Sequence, residues 1–501
     1  MAWADRIGSI GRRETAIAAG VLSAVVVVVV GWLLLGRDDG TGATGAPRPG
    51  PVSVRTPPPA NRSFEGLTTF RGNAARSYYG EGPVPLDPEI RWRHPERTKL
   101  CSGSIVAVDL SEWCGTGWTG QPNVIEGAGG AIEVREGAYD RRYHFVDGET
   151  GVPVRPPLVT GDLAKGSATS DPDGFPLYYA GSRDGHLRIV ALDRPEPETL
   201  WSIDAGTTVP RPLRNDDWDG APLVVRDHLI EGSENGWLYV IRLNRATDDE
   251  GLVTVDPQVV ATIPGFDDEL LDVLGDDEVS IESSVSYRKG VVYFANSGGL
   301  VQGWDIRDLL EGGTGAEQVF RFWVGDDVDA SVVIDDRGFL YVAAEYQRFN
   351  ERSREVGQLM KLDPRRPDDP LVWSIDATEI GFEGAGGSWS TPALYGDLIF
   401  FSTAAGRVLE VDRASGEVIH ELAVGAPSIA SPVVVDGVLI LGDCLGDLYA
   451  WDVSDPSEPP PLLWRMHFDG CIESTPAVWK GWLYLGTREG YLYGITDAAA
   501  P

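Results

Sequence analysis

Downstream of residue 120, apolar and polar positions alternate in short runs, the period-two pattern of half-buried β-strands. The runs recur in one phrase: an apolar strand, a Gly-centred hairpin, then an apolar strand closing on a polar residue. It reads GSRDGHLRIVALD at 181–193, GSENGWLYVIRLN at 232–244, STAAGRVLEVD at 402–412, GDCLGDLYAWD at 442–452 and GTREGYLYGITD at 486–497. A degenerate copy, ANSGGLVQGWD, occupies 295–305. The hairpin glycines Gly185, Gly236, Gly299, Gly406, Gly446 and Gly490 fall 40 to 63 residues apart, once a skipped unit between Gly299 and Gly406 is allowed for. A period of that length built from strands predicts propeller blades rather than a helical solenoid.

Counting by the innermost strand gives eight units. They begin near Gln121-Pro122, Ser167-Ala168, Ala221-Pro222, Ser283-Ser284, Ala330-Ser331, Thr391-Pro392, Ser431-Pro432 and Thr475-Pro476. An insertion, YQRFNERSREVG at 346–357, hides the hairpin of the fifth. The eighth stops at Gly494-Ile495-Thr496-Asp497, one strand short, while Glu89-Ile90-Arg91-Trp92-Arg93 is a lone strand with none before it. The expected fold is all-β, an eight-bladed β-propeller over 63–501 whose last blade is closed by the N-terminal strand, removing an exposed sheet edge.

Ahead of the repeats, Thr15 to Leu35 form 21 residues without charge, long enough at 1.5 Å per residue to span about 32 Å, one bilayer core. Arg6, Arg12 and Arg13 precede the stretch and predict a cytoplasmic tail at 1–14, a transmembrane helix at 15–35 and an extracytoplasmic remainder. The stretch exceeds the apolar core of a cleaved signal and ends in Trp32-Leu33-Leu34-Leu35 rather than in small residues. Residues 36–62, rich in Gly, Pro and Thr, read as a linker with ends about 30 Å apart. The expected location is the cell membrane, single-pass, with the propeller outside.

Composition excludes one class of partner. The chain has 76 acidic against 42 basic residues, a formal net charge of −34, and such a field repels a phosphate backbone, so no nucleic acid partner is expected. The six histidines are scattered without metal-ligand spacing, and no GxSxG elbow or phosphate-binding Gly loop occurs. Neither a catalytic residue nor a metal site is assigned; DPDG at 171–174 is read as an Asp-Gly turn between strands.

The segment FRGNAARSYYGEGPVPLDPEIRWRHP at 70–95 and the turns Val146-Asp147-Gly148-Glu149-Thr150-Gly151 and Val411-Asp412-Arg413-Ala414-Ser415-Gly416 resemble the pyrroloquinoline-quinone-like repeat propellers. That superfamily includes the quinoprotein alcohol dehydrogenases and the outer-membrane assembly lipoprotein of Gram-negative bacteria. Its repeat runs A-x-D-x-x-T-G-x-x-x-W. Here Arg155 and His420 stand where Trp is expected, whereas Ala191-Leu192-Asp193 keeps its spacing to Trp201. Trp304-Asp305 and Trp451-Asp452 are WD dipeptides, but WD40 blades mostly carry a Gly-His pair, and the one such pair here, Gly185-His186, lies in a hairpin.

The dehydrogenase branch implies a tryptophan floor, a carboxylate and Ca²⁺ around pyrroloquinoline quinone. Of the tryptophans near the mouth (Trp113, Trp118, Trp218, Trp389), Trp218 or Trp389 would then supply the floor, beside Glu282, Glu473 and Asp329. The adjacent-cysteine disulfide of those enzymes has no counterpart in this sequence. The lipoprotein branch implies a rigid ring that binds envelope proteins, with no cofactor.

In a propeller, b–c hairpins and d–a connections share one face. Cys444 lies in the seventh b–c hairpin and Cys471 in the connection entering blade eight; Cys101 and Cys114 flank the connection entering blade one. The expected disulfides are therefore Cys101–Cys114 and Cys444–Cys471. The same face is acidic: Asp216, Asp217 and Asp219 precede blade three; Asp267, Asp268, Glu269, Asp272, Asp276, Asp277 and Glu278 precede blade four; Asp326, Asp327 and Asp329 precede blade five. They predict an electronegative crescent suited to a divalent cation or a basic partner surface. The functional expectation is a membrane-anchored, non-catalytic binding module for envelope proteins. Alternatives are a quinone-dependent alcohol or sugar dehydrogenase and a ligand-binding sensor ectodomain.

Overall fold

The computed structural model describes residues 57–61, 63–106, 109–118 and 120–498. The expected transmembrane helix at 15–35, its tail and the linker as far as residue 56 lie outside the described residues. Among the described residues no helix is long and apolar enough to cross a membrane.

Eight sheets form an eight-bladed propeller. Blade one is built of Asn123–Glu126, Ile132–Ala138, Arg142–Asp147 and Leu158–Val159. Blade two is built of Thr169–Ser170, Leu177–Ala180, His186–Ala191 and Glu198–Asp204. Blades three to seven repeat the order, entering on Leu223–Val225, Ser286–Arg288, Val333–Ile334, Ala393–Tyr395 and Val433–Val435. Blade five keeps its four strands, and the helix Glu351–Val356 sits inside the b–c hairpin that lacked a glycine signal. Blade eight combines Ala477–Trp479, Trp482–Thr487 and Tyr491–Asp497 with Pro88–His94 as its antiparallel outer strand, Trp92 opposite Gly494. Middle strands such as Leu398–Ser402 and Val438–Gly442 are buried throughout because each blade is sandwiched between two others. Outer strands such as Val418–Ala423 and Leu462–His467 carry exposed positions.

The repeat's turn motif is a blade-to-blade seam. In the 147–151 turn, Asp147 Oδ1 accepts from the backbone N–H of Glu149 at 3.2 Å, from that of Thr150 at 2.9 Å and from the Thr150 hydroxyl at 2.7 Å. Gly151, at φ 68°, lies flat against Trp92, where a Cβ would come within 2.6 Å of the ring. Trp92 Nε1 donates to Gly148 O at 2.9 Å. Trp373 repeats this on the 412–416 turn, donating to Arg413 O at 3.2 Å and covering Gly416. The tryptophan serving a turn thus comes from the preceding blade, so Arg155 and His420 leave their own blades' turns intact.

At the inner strand starts, a backbone N–H of one blade donates to a hydroxyl of the next: Gln121 to Ser167 and Ala221 to Ser284 at 2.8 Å, Ser331 to Thr391 at 2.9 Å, and Ser284 to Ser331 and Thr391 to Ser431 at 3.0 Å. This explains the Ser and Thr that recur at these positions. The axial channel is filled by the chain's own segment 65–81. Glu65–Leu67 pairs with the inner strand of blade one, and Gly80–Glu81 with that of blade eight. Between them, Ser170 N donates to Thr68 O, Tyr287 N to Ala74 O, Ile334 N to Ala75 O and Leu394 N to the Tyr79 hydroxyl. Arg71 and Arg76 are fully buried. Arg71 donates to the carbonyls of Thr391, Pro392 and Pro432 at 2.6 Å, and Arg76 to those of Ala221 and Val285 at 2.9 Å. All eight blades are thereby tied to one segment. Burial pushes both guanidiniums down to about 10, so they remain charged at neutral pH, held by carbonyl acceptors that replace water.

Candidate functional site: the mouth of the ring

Two positions of the repeat line the mouth. The first lies two residues before the inner-strand hydroxyl or its equivalent, and carries Lys165, Asp219, Glu282, Asp329, Trp389, Ile429 and Glu473 in blades two to eight. The second is the third residue of the hairpin phrase: Arg183, Glu234, Ser297, Ala404, Cys444 and Arg488, with Glu345 taking that place in blade five. Residues at the two positions meet within a blade. The Ser297 hydroxyl donates to Glu282 Oε1 at 3.3 Å, Arg488 donates to Glu473 Oε1 at 2.9 Å, and Trp389 packs with Ala404.

Blades three and five build the same group from the same motif, Asp216-Asp217-Trp218-Asp219 and Asp326-Asp327-Val328-Asp329. In each, the hairpin glutamate is pinned by its backbone: Glu234 N donates to Asp217 O at 3.0 Å, and Glu345 N to Asp327 O at 2.8 Å. Carboxylate oxygens of Asp217, Asp219 and Glu234 lie within 4.8 Å of one another, as do those of Asp327, Asp329 and Glu345. All six residues are buried.

The blade-three group encloses Lys165 of blade two, whose Nζ is 2.6 Å from Asp219, 3.1 Å from Glu234 and 3.3 Å from Asp217. Arg183 Nε adds a contact to Asp217 at 3.3 Å, and Asn215 donates to Glu234 at 2.7 Å. Burial opposes the Lys165 charge, but the three carboxylates outweigh it and hold the ammonium well above its ordinary value. Glu234, despite its burial, is held below the usual range by Lys165 and Asn215. Asp219 is pushed up to about 7, chiefly by burial.

The blade-five group has a different neighbour. The residue at the Lys165 position in blade four is Glu282. Burial, then the charges of Glu234, Asp219 and Asp327, push Glu282 well above the carboxylate range. Asp329 is raised well above its ordinary value by burial and by Asp327, Glu282 and Glu345, and Asp327 to about 6, chiefly by burial. Gln347 Nε2 donates to Asp327 Oδ2 at 2.7 Å. Asp327 and Asp329 interact through their carboxyl groups, as do Asp329 and Glu345. Arg348 attracts Asp327, but its guanidinium is directed to Asp276 at 2.8 Å and Glu278 at 3.3 Å.

The sequence-predicted residues therefore separate. The crescent expected as one surface is split: Asp217, Asp219, Asp326 and Asp327 are buried, so they do not present a docking surface. The reason is positional, because the DDxD motif sits where the connection turns into the inner strand and its second and fourth residues meet the hairpin glutamate. Asp326 accepts from the backbone N–H groups of Gln347 and Arg348 at about 3 Å. Asp216 is exposed, as are Asp268, Glu269 and Asp272 of the helix Asp268–Leu274 and Asp276 and Asp277 beyond it. Asp267 caps that helix, accepting from Leu270 N at 2.8 Å and pairing with Arg321 at 2.7 Å, while Glu278 pairs with Arg214 at 3.3 Å.

The tryptophans offer no open floor. Trp218 is 1% exposed, donates to Gly185 O at 2.9 Å and lies 5.0 Å from Tyr239. Trp389 meets Phe382 edge-on at 5.6 Å within a cluster that includes Cys444 and Cys471. Trp113 and Trp118 are buried as well. The cysteines form Cys101–Cys114, opposite one another across the hairpin Cys101–Val106 and Asp109–Cys114, and Cys444–Cys471. Asp171 of the DPDG turn accepts from Arg245 and Tyr179 at 2.7 and 2.6 Å. Sequence reasoning missed Lys165, Glu234 and Glu345; aligning the units on their inner-strand hydroxyls puts Lys165 in the column of Asp219, Glu282 and Asp329.

Pyrroloquinoline quinone, which the sequence resemblance brings into question, carries three carboxyl groups. The mouth buries Asp217, Asp219, Glu234, Glu282, Asp327, Asp329, Glu345 and Glu473, while Lys165, Arg183 and Arg488 are already engaged with members of that set. Such a donor set repels a polyanion and suits a cation, so the residues do not fit the quinone.

The fold is an eight-bladed β-propeller, and its turn motif and seam tryptophans are similar to those of the pyrroloquinoline-quinone-like repeat propellers. The family model described as outer membrane protein assembly factor BamB matches residues 355–458. Among solved structures, the chain is similar to quinohemoprotein alcohol dehydrogenase ADHIIG from Pseudomonas putida HK5, with a TM-score of 0.59 at 12% identity over 88% of this chain and 83% of that one. A europium-containing methanol dehydrogenase gives 0.55 at 13% identity over 86% and 98%. The quinohemoprotein alcohol dehydrogenase from Comamonas testosteroni gives 0.55 at 12% identity over 87% and 81%. These likenesses are of fold. No curated protein matches the chain.

Proposed function

We propose that the propeller is a non-catalytic binding module, tethered outside the membrane by residues 15–35, that docks an envelope protein on its disulfide-bearing face. The observation that carries this reading is what that face exposes once the mouth is discounted. Acidic Asp268, Glu269, Asp272 and Asp276 are exposed, as are apolar Val273, Phe349, Ile380 and Leu445, at 55%, 47%, 51% and 59%. The hairpin closed by Cys101–Cys114 adds Ile105 and Leu110, 65% and 74% exposed. Apolar anchors set among carboxylates suit a partner surface of basic residues around apolar pockets. The channel itself, filled by 65–81, contributes nothing to this face.

The fold likeness to quinohemoprotein alcohol dehydrogenases favours a second reading, a quinone-dependent dehydrogenase, against which the carboxylate-rich mouth speaks. Photo-crosslinkers placed at Val273 and Leu445 of the full chain in its native membrane test the first reading. Both positions are expected to capture one envelope protein that Val418, on an outer strand, does not. Saturable binding of pyrroloquinoline quinone with dye-linked oxidation of small alcohols overturns it in favour of the second.

A further inference from the structure

We propose that His94 and His144 form a transition-metal site, of the zinc or copper class, that clips the closing strand of blade eight to blade one. The site uses neither the mouth carboxylates nor the exposed residues of the docking face, so it stands whatever that face binds. Strand alternation brings the two rings together. Trp92 and His94 lie two apart on Pro88–His94, so both side chains face blade one. Trp92 covers the 147–151 turn, and His94 meets His144 of the strand Arg142–Asp147. His94 Nε2 is 3.1 Å from His144 Nδ1, with the ring centroids 5.0 Å apart and the planes at 62°. Two nitrogens held by one ion at about 2.0–2.1 Å lie about 2.9 Å apart at a right angle and about 3.4 Å apart at the tetrahedral angle. The observed separation falls between these.

The partners of the other two ring nitrogens fix what the facing pair offers. His144 Nε2 lies 3.1 and 3.2 Å from the two oxygens of Asp140. An ionised carboxylate only accepts, so Nε2 carries the His144 proton and Nδ1 keeps its lone pair. A hydrogen bond with the Gly151 backbone favours the protonated His94 ring, the sense of an N–H donated to a carbonyl. With Nε2 turned to His144, Nδ1 is the nitrogen left to donate it. Neutral rings in these tautomers turn two lone pairs on each other, an arrangement that a shared cation resolves. Burial, then His144, holds His94 down to about 4, so it takes no extra proton at neutral pH and is free to ligate. Asp140 behind His144 is the carboxylate that orients a ligating imidazole, and Arg142 at 3.2 Å secures it. Imidazole donors select zinc, copper or nickel over calcium and magnesium. His94 is 8% exposed and the His144 side chain 11%, an opening through which water completes the ion's shell.

The test is zinc sulfate titrated into the chelator-stripped full chain, read by calorimetry and by thermal unfolding. Cupric ion added to the same preparation is read by electron paramagnetic resonance. One saturable site is expected, with the unfolding midpoint raised by roughly 2–4 °C at saturation and a cupric spectrum that carries two imidazole nitrogens. His94→Phe and His144→Phe should each weaken zinc binding at least about tenfold, and so should Asp140→Asn, which keeps both ligands but loses their orientation. His467→Asn, which removes an exposed histidine elsewhere, should leave binding unchanged. If a His94 or His144 variant fails to fold, the nitrogen count in the unmodified chain still decides the matter. No zinc heat and no midpoint shift overturns the site. A cupric spectrum without two imidazole nitrogens overturns it as well, and so does zinc binding that survives unchanged in the folded His94 and His144 variants.

Discussion

Blades three and five place the same three carboxylates, two from the DDxD motif and one from the hairpin, at the same points of the repeat, yet one group encloses a buried ammonium and the other does not. In blade three, Lys165 reaches across the seam from blade two. In blade five, the residue that would reach across is Glu282, which adds charge of the same sign. The difference in charge at this repeat position comes from one residue, and that residue belongs to neither motif. A buried carboxylate cluster is thus defined by the blade beside it as much as by its own, because in a low-dielectric mouth the identity of the nearest opposite charge decides whether burial is tolerated.

The sharpest way to break the comparison is to remove the ammonium. Lys165→Met should destabilise the chain by about 3–5 kcal/mol in denaturant unfolding, since it strands buried carboxylates. Planting the ammonium in blade five is the converse. Glu282→Lys should raise stability in the same measurement by about 1–3 kcal/mol. A smaller gain, about 1 kcal/mol, is expected for Asp329→Asn, which relieves like-charge repulsion; the equivalent Asp219→Asn should be destabilising, because there the carboxylate pairs with Lys165. Equal signs for these two asparagine variants would erase the distinction between the groups.

The smallest effect comes from a site outside both groups and calibrates the pH scale. His94, on the outer strand of blade eight, faces His144 of blade one at 3.1 Å. Burial, then His144, holds it down to about 4. Between that value and about 6.5 the unfolded chain binds the extra proton, so this contribution is intact above pH 6.5 and is lost as the pH falls toward 4. After allowance for screening it should amount to about 1 kcal/mol with chelator present, and vanish in His94→Phe when unfolding is followed from pH 7 to 4.

Much of the fold was legible because it is local. Each hairpin needs its own glycine, each c–d turn its own Asp and Gly, and each inner strand start its small hydroxyl residue, so the period appears in the letters. Blade five shows the limit, since the helix Glu351–Val356 interrupts its hairpin while the four strands still pair. The site was less legible. Asp219, Glu282, Asp329 and Glu473 stood out as acids, but nothing near them in the chain distinguishes Asp217, which is buried, from Asp216, which is exposed. Trp218 and Trp389 read equally well as a ligand floor and as packing until Tyr239 and Phe382 were found against them.

The sequence by itself determined the blade count and the strand order within each blade, because these follow from spacing and local backbone chemistry. Only the tertiary structure decided that 65–81 fills the channel, that Trp92 seals the turn of blade one, and that Lys165 neutralises blade three while Glu282 crowds blade five. Those outcomes depend on groups tens to hundreds of residues apart being brought within hydrogen-bonding distance. Ring closure does this, and no local pattern records it.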